Sequence, residues 1–118
     1  MGASIKTTPK LTGPKLESGR FYLVAGRQAK GTDTVLVELF LEHSTNAIAS
    51  APFPVNPNAN PSRMVIGQER DAIEHPGHES FDGEIARLLV WNRPLDDKEL
   101  ASVFSGLKKS YQLESPNR

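Results

Sequence analysis

Cysteine is absent from the 118 residues, which removes disulfides and thiolate chemistry and fits a reducing compartment and an exported domain alike. Excess charge of one sign is absent too, with 14 Lys and Arg against 14 Asp and Glu. Net charge therefore supplies no broad attraction to nucleic acid or to an anionic membrane, and neither is an expected partner. No apolar run approaches the roughly 20 residues that span a bilayer. The opening "MGASIKTTPK" has no apolar middle of the kind a signal peptide needs. Asn60 is followed by Pro61, so its Asn-x-Ser triplet is no glycosylation acceptor. A chain of this length fits one domain with a modest core, and no internal repeat is visible.

What is present reads as short strands separated by turn residues. Residues 1–19, rich in Thr, Pro, Gly, Lys and Ser, form an extended arm or edge segment. "RFYLVAGRQ" is dense in aromatic and β-branched residues and leads into the turn-prone "AKGTD", a strand followed by a hairpin connection. "TVLVELFLEH" is the expected partner strand. Its alternation sets Val35, Val37, Leu39 and Leu41 on one face and Leu36, Glu38, Phe40 and Glu42 on the other, which predicts unequal burial of the two faces. A short helix is the competing reading of this run, and the turn residues beside it favour the strand. In the next stretch Pro52, Pro54, Pro57 and Pro61 are interleaved with Asn46, Asn56, Asn58 and Asn60, which excludes regular helix. A short strand over 47–50 is expected there, then a surface loop, a strand at "RMVIGQE", and a polar loop "ERDAIEHPGHES".

The stretch "FDGEIARLLVWNRPLDDKEL" changes period partway along. In its first half Ile85, Arg87, Leu89 and Trp91 share one face while Ala86, Leu88 and Val90 share the other. Both faces are largely apolar, as in a central strand covered on both sides. After Pro94, Asp96 and Glu99 have the spacing of a capping box, and Leu100, Val103, Phe104 and Leu107 recur at helical intervals. A closing helix over about 96–110 is expected, with Lys108 and Lys109 suiting its C-terminal dipole and residues 114–118 as a tail. Trp91, the single tryptophan, is expected to be buried under Leu100 and Phe104.

Phe81, Gly83, Ile85, Trp91, Asn92, Arg93, Leu95 and Glu99 fall on a pattern that resembles the C-terminal signature of bacterial laminin-G-like domains, members of the concanavalin A-like lectin and glucanase superfamily. "RFYLVAGR" and "MVIGQE" look like two further strands of that family. Glu42, His43 and Ser44 stand where its Asp-Gly turn is usual, a departure that points to a remodelled turn. The resemblance covers about 20–113. It implies an all-β fold, an antiparallel β-sandwich of the jelly-roll type with one C-terminal α-helix. It also implies a secreted or cell-surface setting within a larger bacterial protein, and a non-catalytic recognition module, carbohydrate-binding in the first instance. The alternative is a protein-protein interaction or self-assembly domain with no sugar site. Relatives are longer at the N-terminus. A shortened sandwich would keep uncovered sheet edges and an apolar face, so a homo-oligomer or a partner chain completing it is expected.

Three kinds of site follow. Asp82 and Glu84 are an i, i+2 carboxylate pair on the expected strand, the arrangement a retaining glycosidase would use. They lack a third acidic partner, and a structural role is the preferred reading, so no enzyme is expected. Glu69, Asp71, Glu74 and Glu79, with His75 and His78, crowd one loop. Carboxylate oxygens suit calcium, which many laminin-G relatives bind, although the spacing matches no EF-hand and a solvated loop is the plainer account. A glycan needs an aromatic to stack on a sugar face plus amide, carboxylate or guanidinium groups for its hydroxyls. Tyr22, Arg27, Asn56, Asn58 and Asn60 are the candidates.

Overall fold

The computed structural model describes residues 9–56, 66 and 81–113. The chain divides into two compact units, Met1–Pro57 with Trp91–Arg118, and Asn58–Val90. In the first unit, β1 (Val24–Gln28), β2 (Thr34–Leu41) and β3 (Ala49–Pro54) form one antiparallel sheet in the order β1-β2-β3, and helix α1 spans Asp97–Tyr111. This is a small α+β arrangement. The expected jelly-roll sandwich is thereby overturned: a sandwich needs two sheets covering one another, and the described residues hold one three-stranded sheet and a helix.

The register explains which side chains meet. Directly opposed residues share a face, so Ala25 with Phe40 and Arg27 with Glu38 lie on one side of the sheet, and Val24 with Leu41 and Gly26 with Leu39 lie on the other. β3 continues this: Ser50 opposes Glu38, and Phe53 opposes Val35. The alternation read from β2 is kept, yet the deepest residue lies on its mixed face. Phe40 is 2% exposed and clusters with Leu95, Leu100 and Phe104, with Leu23, Ala25, Ala47 and Val103 packed around them. On the opposite face Val35 is buried, and the arm contributes Gly13, Pro14 and Leu16 to an apolar groove of about 170 Å³ beside Leu39, Leu41 and Ile48. Gly13 comes so close to the Ile48 side chain that an added Cβ would sit 2.9 Å from its terminal Cδ1, so a larger residue here would require that exposed side chain to turn aside.

Two strand boundaries differ from expectation. β1 begins at Val24 rather than near Arg20, because Gly19 takes a left-handed turn at φ 87° just before it. β3 runs two to four residues further along than the expected 47–50. Pro52 and Pro54 fit within it because this is an edge strand. Val55 N donates to Asp33 O, so odd-numbered residues turn their N–H groups toward β2 and the two prolines fall at outward positions, where no donor is needed.

At the turn after β2, Glu42 carries a left-handed backbone at φ 65°. A side chain there is uncommon. Its carboxylate is held by Leu23 N at 2.9 Å and Arg20 at 3.5 Å, so the side chain that strains the turn also closes it onto the start of β1.

Helix α1 starts as a capping box. Glu99 N donates to the Asp96 carboxylate at 2.8 Å, and Asp96 N donates to the Glu99 carboxylate at 3.0 Å, so two of the orphan donors at a helix start are satisfied. The buried positions Leu100 and Phe104 are one turn apart and face the sheet. Left-handed Gln112 ends the helix, its N–H donating to Lys108 O, and Lys108 and Lys109 lie in the last turn.

In the second unit, residues 81–90 belong to no strand or helix, and each is exposed. The central strand expected along 83–91 is therefore not formed. Trp91 is 43% exposed, so its expected burial under Leu100 and Phe104 is corrected: Leu95, four residues further on, fills that position in the core. The strand expected at "RMVIGQE" lies outside the described residues except for Ile66, which is exposed.

Phe40→Ala is expected to lower the free energy of unfolding by about 3–5 kcal/mol, because it empties the centre of the cluster. Urea unfolding monitored by circular dichroism checks this, and a loss below about 1 kcal/mol would place the core elsewhere.

Candidate functional site

The most developed polar geometry lies where β1 and β2 meet the start of α1. Arg27 and Glu38 are cross-strand partners on the helix-facing side of the sheet, and Arg27 Nε donates to the Glu38 carboxylate at 2.9 Å. One Nη of the same guanidinium donates to Leu95 O at 3.0 Å and to the Asp97 carboxylate at 2.9 Å. Its carbon lies 5.2 Å from the centre of the Phe40 ring. One planar cation thus joins two strands to the segment that opens the helix, on the edge of the hydrophobic cluster. A rigid fork of donors suits such a task. Hydrogen bonding to Glu38 raises the Arg27 pKa above its ordinary value against the opposing effect of burial, with Asp97 adding to the rise.

A second pair stands beside it. Arg93 donates to both oxygens of Glu99, at 2.8 and 2.5 Å, a bidentate geometry. Together with the backbone N–H of Asp96, this holds the Glu99 carboxyl at about 2, well below its ordinary 4.5. Arg27, Lys30, Glu38, Arg93, Asp96 and Glu99 line an open cleft of about 570 Å³. Its guanidinium groups and the carboxylates of Glu38, Asp96 and Glu99 already engage one another or the backbone. A ligand in it would compete with those contacts. Among the described residues its lining contains no hydroxyl or imidazole to act as nucleophile or as a base near neutral pH.

Of the binding candidates from the sequence, Tyr22, Arg27 and Asn56 fall among the described residues. Tyr22 is half-buried, with its hydroxyl accepting from Glu17 N at 2.9 Å and Arg20 stacked 4.3 Å from its ring centre. That ring face is covered by the guanidinium. Arg27 is the clamp just described. Asn56 is exposed just beyond β3, and Asn58 and Asn60 lie outside the described residues. The calcium candidates Glu69, Asp71, Glu74 and Glu79, with His75 and His78, also lie outside the described residues. Asp82 and Glu84 are exposed and on no strand, so the firm strand face that the glycosidase reading required is not there.

Glu38, Asp97 and the Arg93–Glu99 pair were not singled out in the sequence, although a signal for the first existed. Glu38 is the lone charge within the largely apolar β2, and Arg27 is the lone charge within β1. Opposite charges isolated in adjacent apolar strands mark a cross-strand pair.

Comparison with family models, with curated proteins and with solved structures returned no match to this chain.

Two outcomes are expected. Arg27→Met should destabilise the fold by about 1–3 kcal/mol, since it strands the part-buried Glu38 carboxylate and the Leu95 carbonyl. Asp97→Ala, removing a carboxylate that is 87% exposed, should cost less than about 1 kcal/mol; equal losses in urea unfolding would contradict the clamp. The second outcome concerns acid. The Glu99 pKa is lower in the folded chain than its ordinary value, so its carboxylate stabilises the fold above about 4.5. That contribution fades as pH falls toward 2. Glu99→Gln should flatten the melting-temperature profile over that window, and an unchanged slope would remove Glu99 from the acid response.

Proposed function

We propose that this chain is a non-catalytic recognition module whose target is another protein chain, with a second copy of itself as the first such target. The observation that carries the reading is the run Ile85, Leu88, Leu89, Val90 and Trp91, whose side chains are between 39% and 68% exposed. A contiguous apolar stretch of this kind on a water-soluble surface marks an interaction site. Charge adds to the case: the balance of 14 against 14 provides little long-range repulsion between copies. The polar cleft supports the same reading, because its charged groups are mostly spent on holding strand and helix together.

A glycan is the second reading, favoured by one specific observation. The exposed Trp91 ring lies two residues before Arg93, and an indole beside hydrogen-bonding groups is a means of gripping a sugar ring.

Light scattering across a concentration series and a glycan array separate the two. The expected result is a mass that rises to a dimer or higher with concentration, together with a blank array. A monomer at every concentration with array binding abolished by Trp91→Ala would replace the protein target with a sugar.

A further inference from the structure

The two edges of the sheet are not equivalent. β3 is one edge, and its outward positions are occupied by Pro52 and Pro54, which offer no N–H to an incoming strand and so close that side to pairing. β1 is the other. Ala29 N donates to Leu36 O and Glu42 N donates to Leu23 O, which fixes odd-numbered residues of β1 as the ones paired with β2. Val24, Gly26 and Gln28 therefore turn their N–H and C=O groups outward. None of the three is a proline or carries a charge, and among the described residues no strand lies against them. The Arg27 side chain, which could have guarded the edge, is occupied on the helix-facing side by Glu38, Leu95 and Asp97.

The same chain holds a segment with complementary properties. Residues 85–91 alternate with apolar groups on both faces, contain no proline or glycine, and are exposed without belonging to a strand. Such a segment gains backbone partners and apolar cover when it joins a sheet as an extra strand.

We propose that residues 85–91 of one copy add as a β-strand to the outer edge of β1 in a second copy. The proposal rests on the self-assembly reading above and specifies its contact. A fourth strand at β1 would place one alternate set of the segment, Ile85, Arg87 and Leu89 or Ala86, Leu88 and Val90, beside Val24 and Gly26 on the arm-facing side. The other set would extend the helix-facing side. The prolines at β3 keep that edge from pairing, and the assembly closes as a dimer when the exchange is reciprocal, each copy lending its segment to the β1 edge of the other.

The absence of cysteine makes the test direct. A chain bearing Gly26→Cys, a position with open space for a Cβ, is mixed under mild oxidation with a chain of different mass bearing Ile85→Cys, Arg87→Cys, Leu88→Cys or Leu89→Cys. Cross-linking between the two masses is expected at one parity, 85, 87 and 89 or 88, because alternate side chains leave the strand on opposite faces. No cross-link, equal cross-linking at all four positions, or closure within a single chain bearing both cysteines would overturn the proposal. In parallel, Val24→Pro removes an outward donor while sparing the ladder to β2, and should weaken dimerisation at least about tenfold. Circular dichroism checks that this variant folds; should it not, the cross-linking result decides. An oligomer that neither cross-links in this pattern nor responds to Val24→Pro refutes strand addition and leaves the assembly reading standing. A strictly monomeric chain refutes both.

Discussion

The Arg27 guanidinium ties the sheet to the start of the helix. It bonds Glu38 across the strands, the Leu95 carbonyl just ahead of α1 and the Asp97 carboxylate in its first turn, and it lies near the Phe40 ring. Each of these constraints helps position the others. The bond to its carbonyl fixes the backbone from which Leu95 enters the core. Asp96 can cap the helix because the residues on either side of it are held. Leu100 and Phe104 then reach Phe40 from a fixed starting point. The Coulomb part of such a network is worth little where Asp97 is bathed in water. It is worth more at Glu38, whose side chain is 22% exposed.

A fold this small leaves much of its apolar surface unused. The buried cluster has four residues at its centre, whereas the run from Ile85 to Trp91 stays in water. Short chains generally supplement a modest core with disulfides, metals or association. Disulfides are excluded here by composition. Association is consistent with an edge at β1 that lacks the prolines guarding β3, and the charged groups of the cleft near Arg27 bond one another and the backbone.

Local chemistry was readable from residues alone where the physics is local. The capping box of Asp96 and Glu99, the helical spacing from Leu100 to Leu107, the alternation of β2 and the exclusion of helix by the prolines all depend on contacts within a few residues. The jelly-roll sandwich was not, because it depends on distant segments pairing. The pattern of 83–91 satisfies a central strand equally well whether or not a neighbour exists to bond it. Trp91 illustrates the same point: its apolar flanks predicted burial, yet Leu95 occupies the place in the core and the indole remains at the surface. Nor could spacing reveal that Arg27, proposed as a sugar contact, would also bond a carbonyl 68 residues away.

The amino-acid order by itself determined the helix with its capped start and the runs able to form strands, because turn residues, prolines and caps act through neighbouring backbone groups. Tertiary structure decided which of the strand-competent runs obtained partners, which face of β2 went inside, and whether a charged side chain would serve a ligand or the fold. Those outcomes turn on competition for a limited set of hydrogen bonds and buried places, and that competition is settled only when the distant parts of the chain meet.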